Sequence, residues 1–270
     1  MAPRLRSARN ATLRALDRMS LLAPVYRAYE RMRAVRASEH WEDAADLPVP
    51  PPRLRVEVAG TPEVEWFLES GRRQAEIVRS AADRNGAPLE SAGRMLDFGC
   101  GCGRVLRHWH ELDRTRVHGC DIDPRMVAWC AENLPFAQVT VNALSPPLPY
   151  EDSSFGLVHA FSVMTHLSEE LQHAWLKELR RILRPGGYFL FSTLGEYYAS
   201  RNRLSAAERD AFANGDLVVL YERSAGTSLC SAYHPPEYVR HTLARDLEHV
   251  TFRASADDGR HDIHLLRKPS

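Results

Sequence analysis

The chain has 270 residues, of which 44 % are hydrophobic and 26 % charged, with 35 Lys and Arg balanced by 35 Asp and Glu. That length and composition suit one good core with a small appendage, and zero net charge gives no global attraction for nucleic acid. No apolar run approaches a membrane span or a signal-peptide core, and five Cys, an odd number, point to reduced thiols in a cytoplasmic compartment.

Residues 1–36 hold nine Arg and two acids. Leu13, Leu16 and Met19 recur at helical spacing before Pro24. The favoured reading is a helix packed on the rest of the molecule; the other is a basic amphipathic arm for a membrane surface, RNA or a partner. "LPVPPPR" (47–53) reads as a stiff extended linker. Thr61-Pro62-Glu63 has the chemistry of a helix start, with Thr61 as N-cap, and opens a helix carrying Trp66, Phe67, Ser70 and Gly71.

"MLDFGCGCGR" (95–104) is the most informative stretch. Met95, Leu96 and Phe98 around Asp97 predict a buried strand. Gly99, Gly101 and Gly103 predict a tight turn, and Val105, Leu106 and Trp109 a following helix. Such a unit aims backbone N–H groups at one spot and suits an anion or a nucleotide. A dinucleotide turn wants a third Gly at the sixth position from Gly99, where this chain has Arg104. Cys100-Gly101-Cys102 has no Cys and His partners at metal-ligand spacing, so no metal is expected.

"VHGCDIDPRM" (117–126) predicts a second strand, ending at Asp121 and Ile122. Asp121 follows Gly101 by twenty residues, the separation that lets an acid at a strand tip accept ribose hydroxyls. Asp123 precedes Pro124 and reads as a helix N-cap. "VTVNAL" (139–144) follows, carrying Asn142 and Ala143. "LVHAFSV" (157–163) is a fourth strand, with Phe161 and Val163 near its end and His166 just beyond. Residues 166–183 form an amphipathic helix capped by Ser168, its stripe of Leu171, Trp175, Leu179 and Ile182 directed at the core. "RPGGYFLFST" (184–193) enters a fifth strand.

These segments together resemble the class I S-adenosylmethionine-dependent methyltransferases, with D-x-G-x-G-x-G at Asp97, Gly99, Gly101 and Gly103, a Leu148-Pro149-Tyr150 loop, and the order of all pieces over 62–193. One departure is Phe155-Gly156, where most relatives have Phe-Asp. The resemblance implies a Rossmann-like α/β fold with a seven-stranded, mostly parallel sheet, helices on both faces, and a reversed last strand. It divides the chain into an N-terminal helical extension and linker (1–60) and a methyltransferase domain (61–270).

The resemblance also implies the cofactor, S-adenosyl-L-methionine, and its contacts. Gly99, Cys100, Gly101 and Gly103 let it approach the backbone, Asp97 orders the turn and the ammonium group, and Asp121 with Ile122 holds ribose. Asn142 and Ala143 face adenine, Phe161, Val163 and His166 approach the methionine half, and Ser70-Gly71 belongs to a lid over the methionine end.

About forty residues intervene after the fifth strand, and residues 194–234 read as an insert. It has a short helix near 205–213 and a hairpin with arms near 217–222 and 228–233. A helix from Pro235-Pro236 to about residue 245 and two strands, "HVTFRAS" and "HDIHLLR", complete the chain. Inserts at the carboxyl end of a parallel sheet lie over the ligand crevice, which makes Tyr197, Tyr198, Tyr221 and Tyr233 a candidate substrate cover. His234 is preferred over His166 as the general base.

The DNA and RNA amino-methylase signature is absent after the fourth strand, and 157–167 holds no carboxylate for a catalytic metal. A small-molecule hydroxyl or amine, in natural-product or sugar metabolism, is therefore the expected acceptor, with no DNA partner. Two alternatives stay open. One is a protein of this fold that binds the cofactor without methyl transfer, and the other an RNA-modifying enzyme using the basic arm.

Overall fold

The computed structural model describes residues 12–19, 21, 22, 24, 25, 29, 47–201 and 204–270. Seven strands make the main sheet: β1 (Arg94–Phe98), β2 (Arg116–Asp121), β3 (Ala137–Val141), β4 (Phe155–Ala160), β5 (Leu183–Thr193), and, later in the chain, β8 (Glu248–Asp257) and β9 (His261–Arg267). Their order is β3-β2-β1-β4-β5-β9-β8, with β9 antiparallel to both neighbours. A hairpin of β6 (Val218–Leu220) and β7 (Ser231–Tyr233) stands apart, as the insert's turn spacing predicts. The Rossmann-like fold expected from the resemblance is the fold observed.

Both faces of the sheet are covered, so its central strands are buried throughout. All six residues of β4 are buried, a polar one, His159, among them. One face packs on the helix Glu169–Ile182, where Ser168 accepts from the Leu171 N–H and Trp175, Leu179 and Ile182 are buried as their spacing requires. The other packs on the helix Val64–Arg84, whose buried residues Phe67, Ser70, Gly71, Gln74, Ala75, Val78 and Ala82 repeat at three- and four-residue intervals.

Four local expectations need correction. The segment after the Gly-rich turn is only a 3₁₀ turn, Leu106–Trp109, because the chain must return to β2 at Arg116. Thr61 is not the N-cap: Glu63 is, and the helix starts at Val64, two residues later than a Thr61 cap would set it, although Thr61 Oγ1 accepts from the Glu63 N–H at 3.3 Å. The Pro-rich stretch becomes helical at Pro52, giving a helix Pro52–Ala59 that uses Pro at N1. The helix from Pro236 takes π-type bonding over Val239–Leu243 and ends there, ahead of the expected residue 245.

The insert has its own core. Tyr221 and Tyr233 are buried in it with Leu194, Phe212, Val218 and Leu229, and Leu22, Leu13 and Leu16 pack on the same cluster. Asp17 accepts from Ser224 Oγ at 2.7 Å, and Arg14 pairs with Glu208 at 2.8 Å. The described part of the N-terminal arm is thus docked on the insert.

Burial pushes several histidines far below their usual range: His159, His234 and His264 to about 3, and His108, His118 and His261 to about 4. Their unfolded values lie near 6.5, so the unfolded chain binds more protons between these limits. Stability from these groups is complete above pH 6.5 and is lost as pH falls toward 3. Asp97 acts oppositely: burial raises it to about 8, so its contribution is lost as pH rises toward that value. The histidines outnumber it, so the thermal midpoint should rise between pH 4.5 and 6.5 and then flatten or decline toward pH 8. Calorimetric melts across that range check this, and a midpoint falling monotonically with pH would refute the balance.

Candidate functional site

A cavity of about 830 Å³ opens at the carboxyl ends of β1, β2, β3 and β4, where the Gly-rich turn leaves the sheet. This is the position at which open parallel sheets hold ligands, and the volume suits a nucleoside-sized molecule with room beside it.

The turn itself is held by β2. The Gly99 and Cys100 N–H groups both donate to the Cys120 carbonyl, at 2.8 and 3.0 Å. The Gly101 N–H donates to Asp121 Oδ2 at 2.8 Å, and Asp121 Oδ1 accepts from the Asp123 N–H at 2.9 Å. All three glycines have left-handed φ, between 54° and 81°. Each also faces a protein side chain: an added Cβ would lie 2.3 Å from Val163 at Gly99, 2.7 Å from Val58 at Gly101 and 2.6 Å from Leu134 at Gly103. The chain's own packing therefore accounts for glycine here, before any ligand does.

Eleven residues read from sequence line the cavity together: Asp97, Gly99, Cys100, Gly101, Asp121, Ile122, Asn142, Ala143, Phe161, Val163 and His166. Asp97 is buried with Oδ2 unpaired, and Asn142 Oδ1 is likewise a buried acceptor without a partner. Burial also raises Asp121 from the usual carboxylate range. Two unpaired acceptors and two partly desolvated acids fit a ligand that carries N–H, O–H and cationic groups.

His166 joins this cavity to the insert. Its Nδ1 lies 2.6 Å from the Cys230 carbonyl, which can only accept, so Nδ1 carries the proton and Nε2 keeps a free lone pair. Its own carbonyl accepts from the Gly226 N–H at 2.8 Å. Burial lowers its pKa, so the ring is neutral near pH 7.

Other expected site residues lie elsewhere. Gly103 packs on Leu134, outside the lining. Ser70 and Gly71 do not line the cavity either: Arg104 Nη1 donates to Ser70 Oγ at 3.3 Å, and a Cβ on Gly71 would sit 2.1 Å from the Arg104 carbonyl. They seat Arg104, which does line it.

The four tyrosines do not line the cavity, because they fill other contacts. Tyr221 and Tyr233 belong to the insert core, Tyr197 lies under Arg201 at 4.1 Å, and Tyr198 packs on His261 at 5.0 Å. The insert reaches the site through Ala225–Ser228 instead. His234 is fully buried, with Nε2 2.9 Å from Gln172 Oε1, and does not line the cavity. It cannot meet an acceptor there.

Sequence reasoning missed Glu57 and Val58, contributed by the helix Pro52–Ala59. Arg125 ties that helix to the site, pairing with Glu57 and with the N-cap Asp123 at 2.5 Å each. Pro52 at N1 was the available signal. Trp175, read as core, also borders the cavity and donates from Nε1 to the Leu144 carbonyl at 2.9 Å. The missing aspartate after Phe155 has a steric cause: a Cβ on Gly156 would lie 2.3 Å from the Ala92 carbonyl.

Fold and site define an α/β domain built around a nucleoside-sized crevice. Residues 96–191 match the family model described as a methyltransferase domain. It is 32 % identical over 137 residues to a malonyl-[acyl-carrier protein] O-methyltransferase of Pectobacterium atrosepticum, covering 50 % of this chain and 52 % of that one. It is 38 % identical over 129 residues to a probable S-adenosylmethionine-dependent methyltransferase of Mycolicibacterium smegmatis, covering 47 % and 45 %. The chain thus spans about half the length of the curated relatives it matches. The fold is shared with the 1,6-didemethyltoxoflavin-N1-methyltransferase of Burkholderia thailandensis, at TM-score 0.55 and 17 % identity, over 87 % of this chain and 100 % of that one.

The two aspartates at the end of β2 have separable work. Asp121→Ala removes the acceptor of the Gly101 N–H, so amide exchange at Gly101 should accelerate at least tenfold. Asp123→Ala removes an N-cap and should cost about 1 kcal/mol of stability with little change at Gly101. Hydrogen exchange and urea melts of both variants check this; equal acceleration at Gly101 would show that Asp121 does not hold the turn.

Proposed function

We propose that this protein transfers a methyl group from S-adenosylmethionine to the hydroxyl or amine of a small molecule, in natural-product or sugar metabolism. The observation that carries the reading is the convergence of Asp97, Asp121 and Asn142 on one cavity, two of them with unpaired buried acceptor atoms. When bound, the cofactor supplies an electrophilic methyl on a sulfonium.

Asp121 keeps lone pairs beyond its two backbone bonds and accepts the ribose hydroxyls. Ile122 and Leu144, both partly exposed, offer apolar surface to a base. Asn142 Oδ1 accepts from an exocyclic amine, and Asp97 with Arg104 meets the charged amino-acid end. The acceptor enters beside His166 and the Ala225–Ser228 loop. Nε2 of His166 takes the acceptor proton as the new C–O or C–N bond forms and the S–CH₃ bond breaks. An acceptor that arrives deprotonated needs alignment alone. No carboxylate cluster is invoked, and among the described residues no group of His, Cys, Asp and Glu is placed to hold a metal.

Calorimetry should find binding of S-adenosylmethionine and S-adenosylhomocysteine and none of NAD, since Arg104 stands where a dinucleotide turn needs Gly. Tight NAD binding with no response to either sulfur nucleoside would end this reading. For the base, His166→Asn keeps a donor for the Cys230 carbonyl but removes the lone pair. Turnover should fall by about 10² to 10⁴ with cofactor affinity unchanged, whereas His234→Gln should leave turnover within a few-fold. The reverse pattern in acceptor-screened assays would restore His234.

A further inference from the structure

Asp97 and His159 stand directly opposite one another on the neighbouring parallel strands β1 and β4. His159 has no exposed surface, next to the end of a strand otherwise built of Phe, Gly, Leu, Val and Ala. An apolar side chain would fill that place without burying a polar ring.

Trp109, also buried, closes on it edge-to-face with ring centroids 5.5 Å apart, and Trp109 Nε1 donates to His159 Nε2 at 3.1 Å. An indole N–H can only donate. Nε2 must therefore accept, and the neutral imidazole carries its proton on Nδ1. That nitrogen lies 3.4 Å from Asp97 Oδ1, and both Nδ1 and Asp97 Oδ2 are buried without a hydrogen-bond partner. Asp97 lines the cavity, while His159 and Trp109 lie behind it.

We propose that Trp109 and His159 are a positioning pair for this site: the indole fixes the imidazole tautomer, and the Nδ1–H so directed at Asp97 orients that carboxyl group and favours its carboxylate form, for the cationic amino-acid end of the bound nucleoside. This rests on the cofactor proposed above.

Several groups face Asp97. Arg104 and the Leu106 N–H, from the segment after β1, favour its charge, while Asp121 of β2 disfavours it. The thiols beside it stay neutral: Cys100 is pushed well up by its hydrogen bond with Cys130 and by burial, and Cys120 by burial. On β4 the facing group is His159, itself pushed down to about 3 by burial, so it acts as a neutral donor and not as a counter-ion. With burial dominant, the carboxyl lies at about 8. A cation that needs the carboxylate then binds with proton release below that pH, and its affinity rises with pH until Asp97 is ionised.

The decisive measurements are made on the full chain. In the wild type, ¹⁵N NMR of the histidine rings should show His159 as the Nδ1–H tautomer; an Nε2–H tautomer overturns the proposal without any variant. The Asp97 carboxyl titration, assigned with Asp97→Asn, should move up by about one pH unit in His159→Phe and return in His159→Asn, whose amide can donate from the Nδ1 position. Trp109→Phe should release the tautomer and move Asp97 the same way, which keeps the test available if His159→Phe does not fold. Packing alone would leave the midpoint unmoved in all three, and that result refutes the pair.

In calorimetry with S-adenosylhomocysteine, His159→Phe should weaken binding about tenfold at pH 7, with the loss shrinking above pH 9. A loss of the same size at every pH refutes the pair. Absence of binding by the wild type would instead refute the proposed cofactor, and the tautomer and carboxyl titration would still judge whether the pair directs Asp97.

Discussion

The bond from the Gly101 N–H to Asp121 is the constraint on which the site depends. A turn with three glycines has almost no side chains with which to hold itself. Its shape comes from the end of β2, which offers the Cys120 carbonyl to Gly99 and Cys100 and the Asp121 carboxylate to Gly101. The register of β1 against β2, with Phe98 opposite Cys120, sets where those acceptors fall. Local sheet pairing thus decides the floor of the cavity, and Val58, Val163 and Leu134 fill the space that the missing side chains leave. Asp121 holds the turn with the two oxygens that, in the proposed function, also meet the ribose, so its loss should disturb the turn and, on that reading, cofactor binding as well.

Much of this was legible from sequence because it is local. Strand periodicity, the Asp123-Pro124 cap and the spacing from Gly101 to Asp121 each concern residues that are neighbours in the chain or sit at fixed places on adjacent strands. The sheet order came from resemblance, since nothing in strand composition orders parallel strands. What escaped was long-range. A Gly inside a helix costs about 1 kcal/mol against Ala, so Gly71 did mark a close approach, but its neighbour is the Arg104 backbone and not a ligand. Arg104 itself was noticed only as the residue that spoils a dinucleotide turn.

His234 and the tyrosines show the same limit from another side. Chain order placed them above the crevice, and the insert does reach it. Which residues of an insert face outward depends on whether the insert has a core of its own. Here it does, and bulky aromatics are what such a core consumes first. The small residues Ala225, Gly226, Thr227 and Ser228 were left to meet the cavity, with Gly226 at φ 81° and no room for a Cβ beside Leu144.

The same packing bears on the basic arm. Read alone, nine Arg among 36 residues suggest a polyanion. Among the described residues, Arg14 is paired with Glu208, Asp17 with Ser224, and the Arg18 carbonyl accepts from Arg223. Leu22 is buried against the insert, and Leu13 and Leu16 pack on it half-buried. A helix that supplies apolar surface and paired charge to its own chain is spending both on folding. Ser224 is adjacent to the loop that lines the cavity, and that loop is bonded in turn to His166. The described part of the arm therefore supports the wall of the site from outside, through the Asp17–Ser224 bond whose two ends lie 207 residues apart in sequence, which is why no local pattern announced it.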